Sequence, residues 1–294
     1  MKKVIIITGP TAIGKTKLSI ELAKRLNTEL INGDAYQIYK GLNILTAKPS
    51  IKELSLVKHH LMDVLEPGTD FTICQYQTMV RDLIEKMEIP IIVGGSGLYI
   101  DSVIYDYRFL QEDDNSYEES NLSNEELHQI LTDLDPQNAK KIHPNNRKRL
   151  LRAIHLAKTQ SIEERTLNKN HYYKPLIICL TLDRDKLYER INQRVSLMID
   201  EGMIEEVKEN LGLENTQQGK AIGYIDTIKY LNNEITKEEL IEKMSKDTRH
   251  YAKRQLTWYR NHQDCVNLNV DLNNFDNTIN EALKLIEDFL KEYK

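Results

Sequence analysis

Eight consecutive residues near the N-terminus, Gly9-Pro10-Thr11-Ala12-Ile13-Gly14-Lys15-Thr16, have the types and spacing that hold a phosphate group. Glycines let backbone N–H groups wrap around phosphate oxygens, and a helix opening at the end of the run adds positive potential. Lys15 supplies a point charge, and the Thr16 hydroxyl suits Mg²⁺. An apolar run at residues 4–8 precedes this P-loop, and Leu18, Leu22 and Leu26 follow it at helical spacing, which is the strand–loop–helix context the motif requires. The motif specifies phosphate. It leaves open nucleotide hydrolysis, phosphoryl transfer and other uses of such a grip.

Other chemistry-bearing residues narrow the choice. Asp34 falls just past the second apolar run, where a parallel sheet brings it towards the P-loop. A carboxylate there can accept a proton or bind a metal; a turn aspartate is the alternative. The apolar run at 90–93 leads into Gly94-Gly95-Ser96-Gly97-Leu98-Tyr99, where an ATPase often carries a metal-organising Asp. Its glycines permit close approach of a ligand and Ser96 offers a hydroxyl, with a plain tight turn as the competing reading. Thr46-Ala47-Lys48-Pro49 likewise lacks the Asp of a guanine-reading loop. Arg184, Arg190 and Arg194 form a candidate cationic clamp, Arg190 and Arg194 lying one helical turn apart; pairing with Asp185 or Glu189 is the duller possibility. Further on, Met244, Tyr251 and Trp258 recur every seventh residue and are expected to bury as a core stripe. Arg249 and Lys253 project from another face, as phosphate contacts would, although a solvated helix face accounts for them too.

The elements that must position these groups alternate. Residues 4–8, 29–32, 90–93, 176–182 and 265–270 read as strands separated by helical patterns, which indicates an α/β domain with a mainly parallel sheet. The alternation breaks between about 112 and 173. There Ser123 and Glu126 form a capping box for a helix with Leu127, Ile130, Leu131 and Leu134 on one face, ended by Asp135-Pro136. A basic helix follows Asn145-Asn146, with Leu150, Ile154 and Ala157 spaced for burial. This segment reads as a helical insertion in a P-loop core formed by residues 1–111 and about 174–294. Later, Leu187, Ile191, Val195 and Met198 line one helix face, and Thr236 with Glu239 caps a long helix to about Arg260.

Composition sets the outer bounds. The chain has 294 residues, 40% of them hydrophobic and 29% charged, with a net charge of -5. That total argues against nucleic-acid binding, yet charge is strongly segregated. Residues 112–126 are acidic without a Lys or Arg, whereas residues 140–152 carry Lys140, Lys141, Arg147, Lys148, Arg149 and Arg152 and no acid. Local fields steer polyanions more than totals do. Three dispersed cysteines, Cys74, Cys179 and Cys265, favour neither a disulfide framework nor a zinc site, and fit a reducing, cytoplasmic setting. The opening Met1-Lys2-Lys3 precedes too short an apolar run for a signal peptide, and no segment has transmembrane length.

Taken in order, the motifs resemble the tRNA dimethylallyltransferase family up to about Trp258. The carriers are the P-loop; Gly33-Asp34-Ala35-Tyr36-Gln37-Ile38-Tyr39 with Thr46-Ala47-Lys48-Pro49; Gly94-Gly95-Ser96-Gly97-Leu98-Tyr99; Asp135-Pro136 and Ile142-His143-Pro144 with Arg149-Leu150-Leu151-Arg152-Ala153; and Ala221-Ile222-Gly223-Tyr224 followed by the 248–258 stretch. The resemblance implies a P-loop NTPase-like fold. It also implies transfer of a dimethylallyl group from its diphosphate to the exocyclic amine of the adenosine just 3′ of a tRNA anticodon. Diphosphate would sit on Gly9, Thr11, Ala12, Ile13, Gly14, Lys15 and Thr16, with Arg190, Arg194 and Lys220 nearby and Mg²⁺ on Thr16 and Asp34. Asp34 and Ser96 would be catalytic. Asp34, Ala35, Tyr36 and Gln37 would meet the anticodon loop, with Lys148, Arg149, Leu150, Leu151 and Arg152 and with Arg249, Lys253 and Arg254. The expected partners are dimethylallyl diphosphate and a tRNA anticodon stem-loop, no membrane, and a monomeric protein. The chain departs from the family in five places: Ala35 stands where Ser is usual, Ser96 replaces Thr, Asn146 replaces an Asp, an Arg expected near Glu118 or Glu119 is missing, and Lys220 stands where some members carry Arg.

Overall fold

The structure, a computed structural model, describes residues 1–107, 109, 121–159, 170–262 and 264–292. Most of the acidic stretch, including Glu118 and Glu119, lies outside these residues. The chain divides into two compact units, Met1–Ile104 with His171–Lys294, and Tyr105–Asn170.

The larger unit is built on a six-stranded sheet: β1 (Lys3–Thr8), β2 (Leu30–Asn32), β3 (His59–His60), β4 (Ile91–Val93), β5 (Lys174–Thr181) and β6 (Cys265–Asn269). The strand order is β3-β2-β4-β1-β5-β6 and every pairing is parallel. β1 is central, with Ile5 opposite Ile91 on one side and Leu176 on the other. Strands buried on both faces read as continuous apolar runs, and β1 is buried from Val4 to Thr8. The two-residue β3 carries no such run and is the one strand the sequence pattern does not mark.

Helix α1 (Lys15–Leu26) follows β1, then come α2 (Ile51–Leu54), α3 (Ile73–Lys86) and α4 (Gly97–Ile104). In the smaller unit α5 (Asn124–Leu134) starts at the expected Ser123–Glu126 capping box, α6 (Pro136–Ala139) at Asp135, and α7 (Arg147–Thr159) after Asn146. Leu127, Leu131, Ala139, Leu150 and Ile154 form the core of this unit. Leu134 is 41% exposed, because it sits on the last turn before Asp135 breaks the helix, and Ala157 is only partly buried. The larger unit continues with α8 (Arg184–Asp200), α9 (Met203–Glu209), α10 (Tyr224–Leu231), α11 (Lys237–Arg260) and α12 (Phe275–Lys291), plus a 3₁₀ turn at Gln218–Lys220.

Helix α11 corrects the expected heptad stripe. Its buried residues are Leu240, Met244, Ser245, Ala252, Gln255 and Tyr259, a spacing closer to 3.6 than to seven. Tyr251 is half-buried and Trp258 is 41% exposed, its indole resting where a side chain on Gly97 would otherwise stand. An added Cβ on Gly97 would lie 2.4 Å from the indole nitrogen, so any larger residue there must displace the Trp258 ring.

Leu18, fully buried between α1 and the sheet, belongs to the main core. Leu18→Ala is expected to cost about 2–5 kcal/mol of unfolding free energy, read as a lower urea midpoint at unchanged m-value.

Candidate active site

Parallel pairing places the carboxyl ends of β1, β4 and β2 side by side, so three turns meet at one edge of the sheet. Those turns are the P-loop after β1, Gly94-Gly95-Ser96 after β4 and Gly33-Asp34 after β2. Two strand spacings, roughly 10 Å, separate the first and last, and the glycine turn fills the gap. Gly33 donates to the Val93 carbonyl and Ser96 to the Gly33 carbonyl. The approach is so close that a Cβ on Gly94 would lie 2.2 Å from the Gly33 carbonyl. Above this edge opens a cavity of about 670 Å³.

The P-loop is shaped for an anion. Gly14 caps α1 with φ 107°, offers no side chain to the first-turn N–H groups, and the first turn contains no acid. Those N–H groups are left to a ligand, where the helix end is positive. Ala12 is held at φ 63°, unusual for a residue with a Cβ, and its carbonyl accepts the Arg190 Nε–H at 2.9 Å. Arg194 donates to Thr11 Oγ1 at 3.4 Å and to the Ala47 carbonyl at 3.2 Å. The clamp therefore consists of Arg190 and Arg194. Arg184 is not part of it: at the first turn of α8 it stacks on Tyr188 and does not line the cavity.

Lys15 donates to the Gly9 and Pro10 carbonyls at 2.9 and 2.8 Å. Burial, reinforced by the Arg194 charge and opposed by Asp34, lowers its pKa to about 8. Asp34 is shifted the other way. Desolvation raises its pKa, against the pull of the Tyr36 N–H, Lys15, the Gln37 backbone and Arg194. Its carboxylate accepts the Tyr36 N–H at 2.9 Å, while its own N–H donates to Asn32 Oδ1. Ser96 Oγ accepts the Ala35 N–H at 3.3 Å and bonds to the Tyr251 hydroxyl. Burial also raises the Tyr251 pKa, with the Asp34 charge as a second contribution, so the phenol stays protonated.

Thr11, Ala12, Ile13, Gly14, Lys15 and Thr16 line the cavity together with Asp34, and Lys220, Arg254 and Gln37 join them. Gly9 does not line it and serves through its carbonyl on Lys15. The Gln37 amide nitrogen is committed to the Thr46 and Ala47 carbonyls, which leaves its oxygen for a ligand. Tyr36 reaches the Lys220 carbonyl. Lys48, which the sequence pattern marks only as a landmark, is a buried strut bonded to the Tyr39 and Gly41 carbonyls and paired with Asp63. Arg249 donates to Asn192 Oδ1 on α8 at 2.6 Å and stays partly exposed, and Lys253, one turn further along the same helix, is exposed. In the smaller unit Lys148, Arg149 and Arg152 are exposed and Leu151 is part-buried. Leu150 has no accessible surface, so it props the basic face from beneath and cannot touch a ligand.

Hard oxygen donors at Thr16 and Asp34, both on the cavity wall, fit Mg²⁺, which takes few protein ligands beside phosphate and water. Among the described residues no group of three or more His, Cys, Asp or Glu could form an all-protein cage.

A parallel sheet, a P-loop and a desolvated carboxylate lining one cavity define a P-loop α/β protein with a site for an anion beside a candidate proton acceptor. Comparison with known proteins makes this particular. Residues 37–262 match the IPP transferase family and residues 2–69 the isopentenyl transferase family. The chain is 44% identical over 300 residues to the tRNA dimethylallyltransferase of Anoxybacillus flavithermus, covering 97% of this chain and 96% of that one. The tRNA dimethylallyltransferase of Bacillus subtilis is 44% identical over 275 residues, 88% of each. The crystal structure of a full-length tRNA isopentenylpyrophosphate transferase from Bacillus halodurans superposes with TM-score 0.76 at 37% identity, over 99% of this chain and 98% of that one. A eukaryotic dimethylallyltransferase solved acting on tRNA gives TM-score 0.86 at 27% identity, over 100% and 81%. The chain belongs to the tRNA dimethylallyltransferase (IPP transferase) family.

Because burial lowers the Lys15 pKa to about 8, pyrophosphate binding is expected to draw a proton onto it at higher pH. Wild-type affinity is therefore expected to fall above about pH 8 relative to Lys15→Arg, whose guanidinium stays charged. Titration calorimetry from about pH 7 to about pH 9.5 reads this; parallel curves for the two proteins would contradict it.

Proposed function

We propose that this chain transfers a dimethylallyl group from dimethylallyl diphosphate to the exocyclic amine of the adenosine just 3′ of a tRNA anticodon. Its family membership supports the reaction, and the observation that carries the site assignment is the shared cavity of Lys15 and Asp34. The diphosphate is the leaving group. It rests on the uncapped N-terminus of α1, on Lys15 and on Arg190 and Arg194, with Lys220 at the rim. Fixed positive groups at the site of developing charge lower the barrier without reorganising as it develops. Mg²⁺, held through Thr16 and Asp34, would neutralise further charge on the leaving oxygens.

The step balances simply. The adenine nitrogen forms a bond to the allylic carbon, the carbon–oxygen bond breaks, and diphosphate departs with the electron pair. The amine proton passes to Asp34, whose carboxylate lies on the wall of the same cavity as the P-loop. Ser96 and Tyr251 hold the Asp34 turn in place. Leu45, Val195, Met198 and Met244 give the cavity an apolar wall suited to the prenyl end. The base reaches this depth by leaving its stack. Tyr36, Gln37 and the Ala35 backbone meet it at the entrance, with Arg254 and Lys253. Lys148, Arg149 and Arg152 hold the RNA backbone, and Leu151 lies beside them.

A monomer is the acting unit we propose. Cytoplasmic location is the setting we propose. It suits three free cysteines, and among the described residues no helix is long and apolar enough to cross a membrane.

Incubation with dimethylallyl diphosphate, Mg²⁺ and an anticodon stem-loop bearing consecutive adenines should add one five-carbon unit to one adenosine, read by mass spectrometry. Transfer of labelled phosphate from ATP instead would overturn the reading. Asp34→Asn is expected to lower kcat by roughly 100-fold or more while tRNA affinity stays within about twofold. Wild-type kcat/KM falls as pH drops through the raised Asp34 pKa, and the Asn variant lacks that acid limb.

A further inference from the structure

Gln255 is a polar residue on the buried face of α11, 5% exposed, with both ends of its amide engaged. Its Oε1 accepts the Thr11 N–H at 3.0 Å, and its Nε2 donates to the Gly95 carbonyl at 3.1 Å. A backbone N–H only donates and a carbonyl only accepts, so this orientation of the amide is fixed by its partners.

Each bond fixes a whole peptide plane. No cis peptide is present among the described residues, and in a trans peptide N–H and C=O point in opposite directions. The Thr11 N–H turned towards Gln255 therefore aims the Pro10 carbonyl the other way, where it accepts the Lys15 ammonium at 2.8 Å. The Gly95 carbonyl turned towards Gln255 likewise aims the Ser96 N–H away, onto the Gly33 carbonyl at 3.4 Å. That carbonyl belongs to the peptide whose N–H is Asp34's, which donates to Asn32 Oδ1 at 3.0 Å. One side-chain amide thus stands at the head of two relays, one ending at the Lys15 ammonium and the other at the Asp34 backbone.

We infer that Gln255 is a positioning residue that sets the placement of Lys15 relative to Asp34, and so of the diphosphate relative to the proton acceptor. The separation of those two groups decides whether the reacting carbon meets the adenine amine, and a displacement of about 1 Å is enough to lower a rate by roughly 100-fold. The relay starts on the helix that presents Lys253 and Arg254 outward, so the element offered to RNA is the one that holds the phosphate loop.

The kinetic part of this inference rests on the proposed prenyl transfer, while pyrophosphate binding tests it without that chemistry. Gln255→Met keeps the volume and removes both bonds. It is expected to weaken inorganic pyrophosphate binding and to lower kcat by roughly 10- to 100-fold, with tRNA affinity unchanged within about twofold. Gln255→Glu provides a second arm should the Met variant fold poorly. Ionised, it repels the Gly95 carbonyl; protonated, it regains a donor for Gly95 and an acceptor for Thr11. The ratio of its activity, and of its pyrophosphate affinity, to wild type should therefore rise several-fold as pH falls from about 8.5 to about 6.5. A folded Gln255→Met protein with wild-type kcat and pyrophosphate affinity, or a Gln255→Glu ratio flat with pH, would overturn the inference.

Discussion

The Lys15 ammonium and the Asp34 carboxylate line one cavity, and burial of each side chain shifts its pKa against its charged form. Burial disfavours both charges, while their mutual attraction favours both. The balance leaves the lysine's pKa lowered to about 8 and the carboxylate's raised. Neither property belongs to the residue alone. Both depend on three loops being held at the same sheet edge, which the strand order β2-β4-β1 enforces.

The surrounding structure follows from that constraint. The glycine turn after β4 is thin because the Gly33 backbone passes within contact distance of Gly94. Arg190 and Arg194 reach from α8 to hold the Ala12 carbonyl and the Thr11 hydroxyl of a loop that keeps Ala12 in a left-handed conformation. Lys48 fastens the 39–43 segment from below, and the Gln37 amide fastens the 46–47 segment from inside. Positive charge gathers where the leaving group would accumulate negative charge. Apolar side chains gather where a prenyl carbon would become electron-poor. The phosphate is a handle, and the chemistry takes place at the carbon beyond it.

Much of this was legible in the sequence because it rests on local rules. The P-loop, the Ser123 and Thr236 capping boxes and the apolar strands each announce themselves within a few residues. What was not legible depended on helical phase or on contacts made far along the chain. A seven-residue recurrence drew Trp258 into the core, whereas the 3.6-residue phase of α11 turned Gln255 and Tyr259 inward and left the indole at the surface. Arg184 shares its helix with Arg190 and Arg194 but lies at its first turn, out of reach of the loop. Leu150 sits among basic residues and reads as part of their surface, although its own side chain is the floor on which they stand. The β3 strand, two histidines long, has too few residues to show any period.

The most direct test is a crystal structure of the protein with dimethylallyl thiolodiphosphate, an unreactive analogue of the proposed donor. The account predicts diphosphate oxygens on the backbone N–H groups of residues 13–16 and on Lys15, with the first prenyl carbon on the Asp34 side of the cavity. Diphosphate bound away from the P-loop, or a prenyl chain directed away from Asp34, would contradict it.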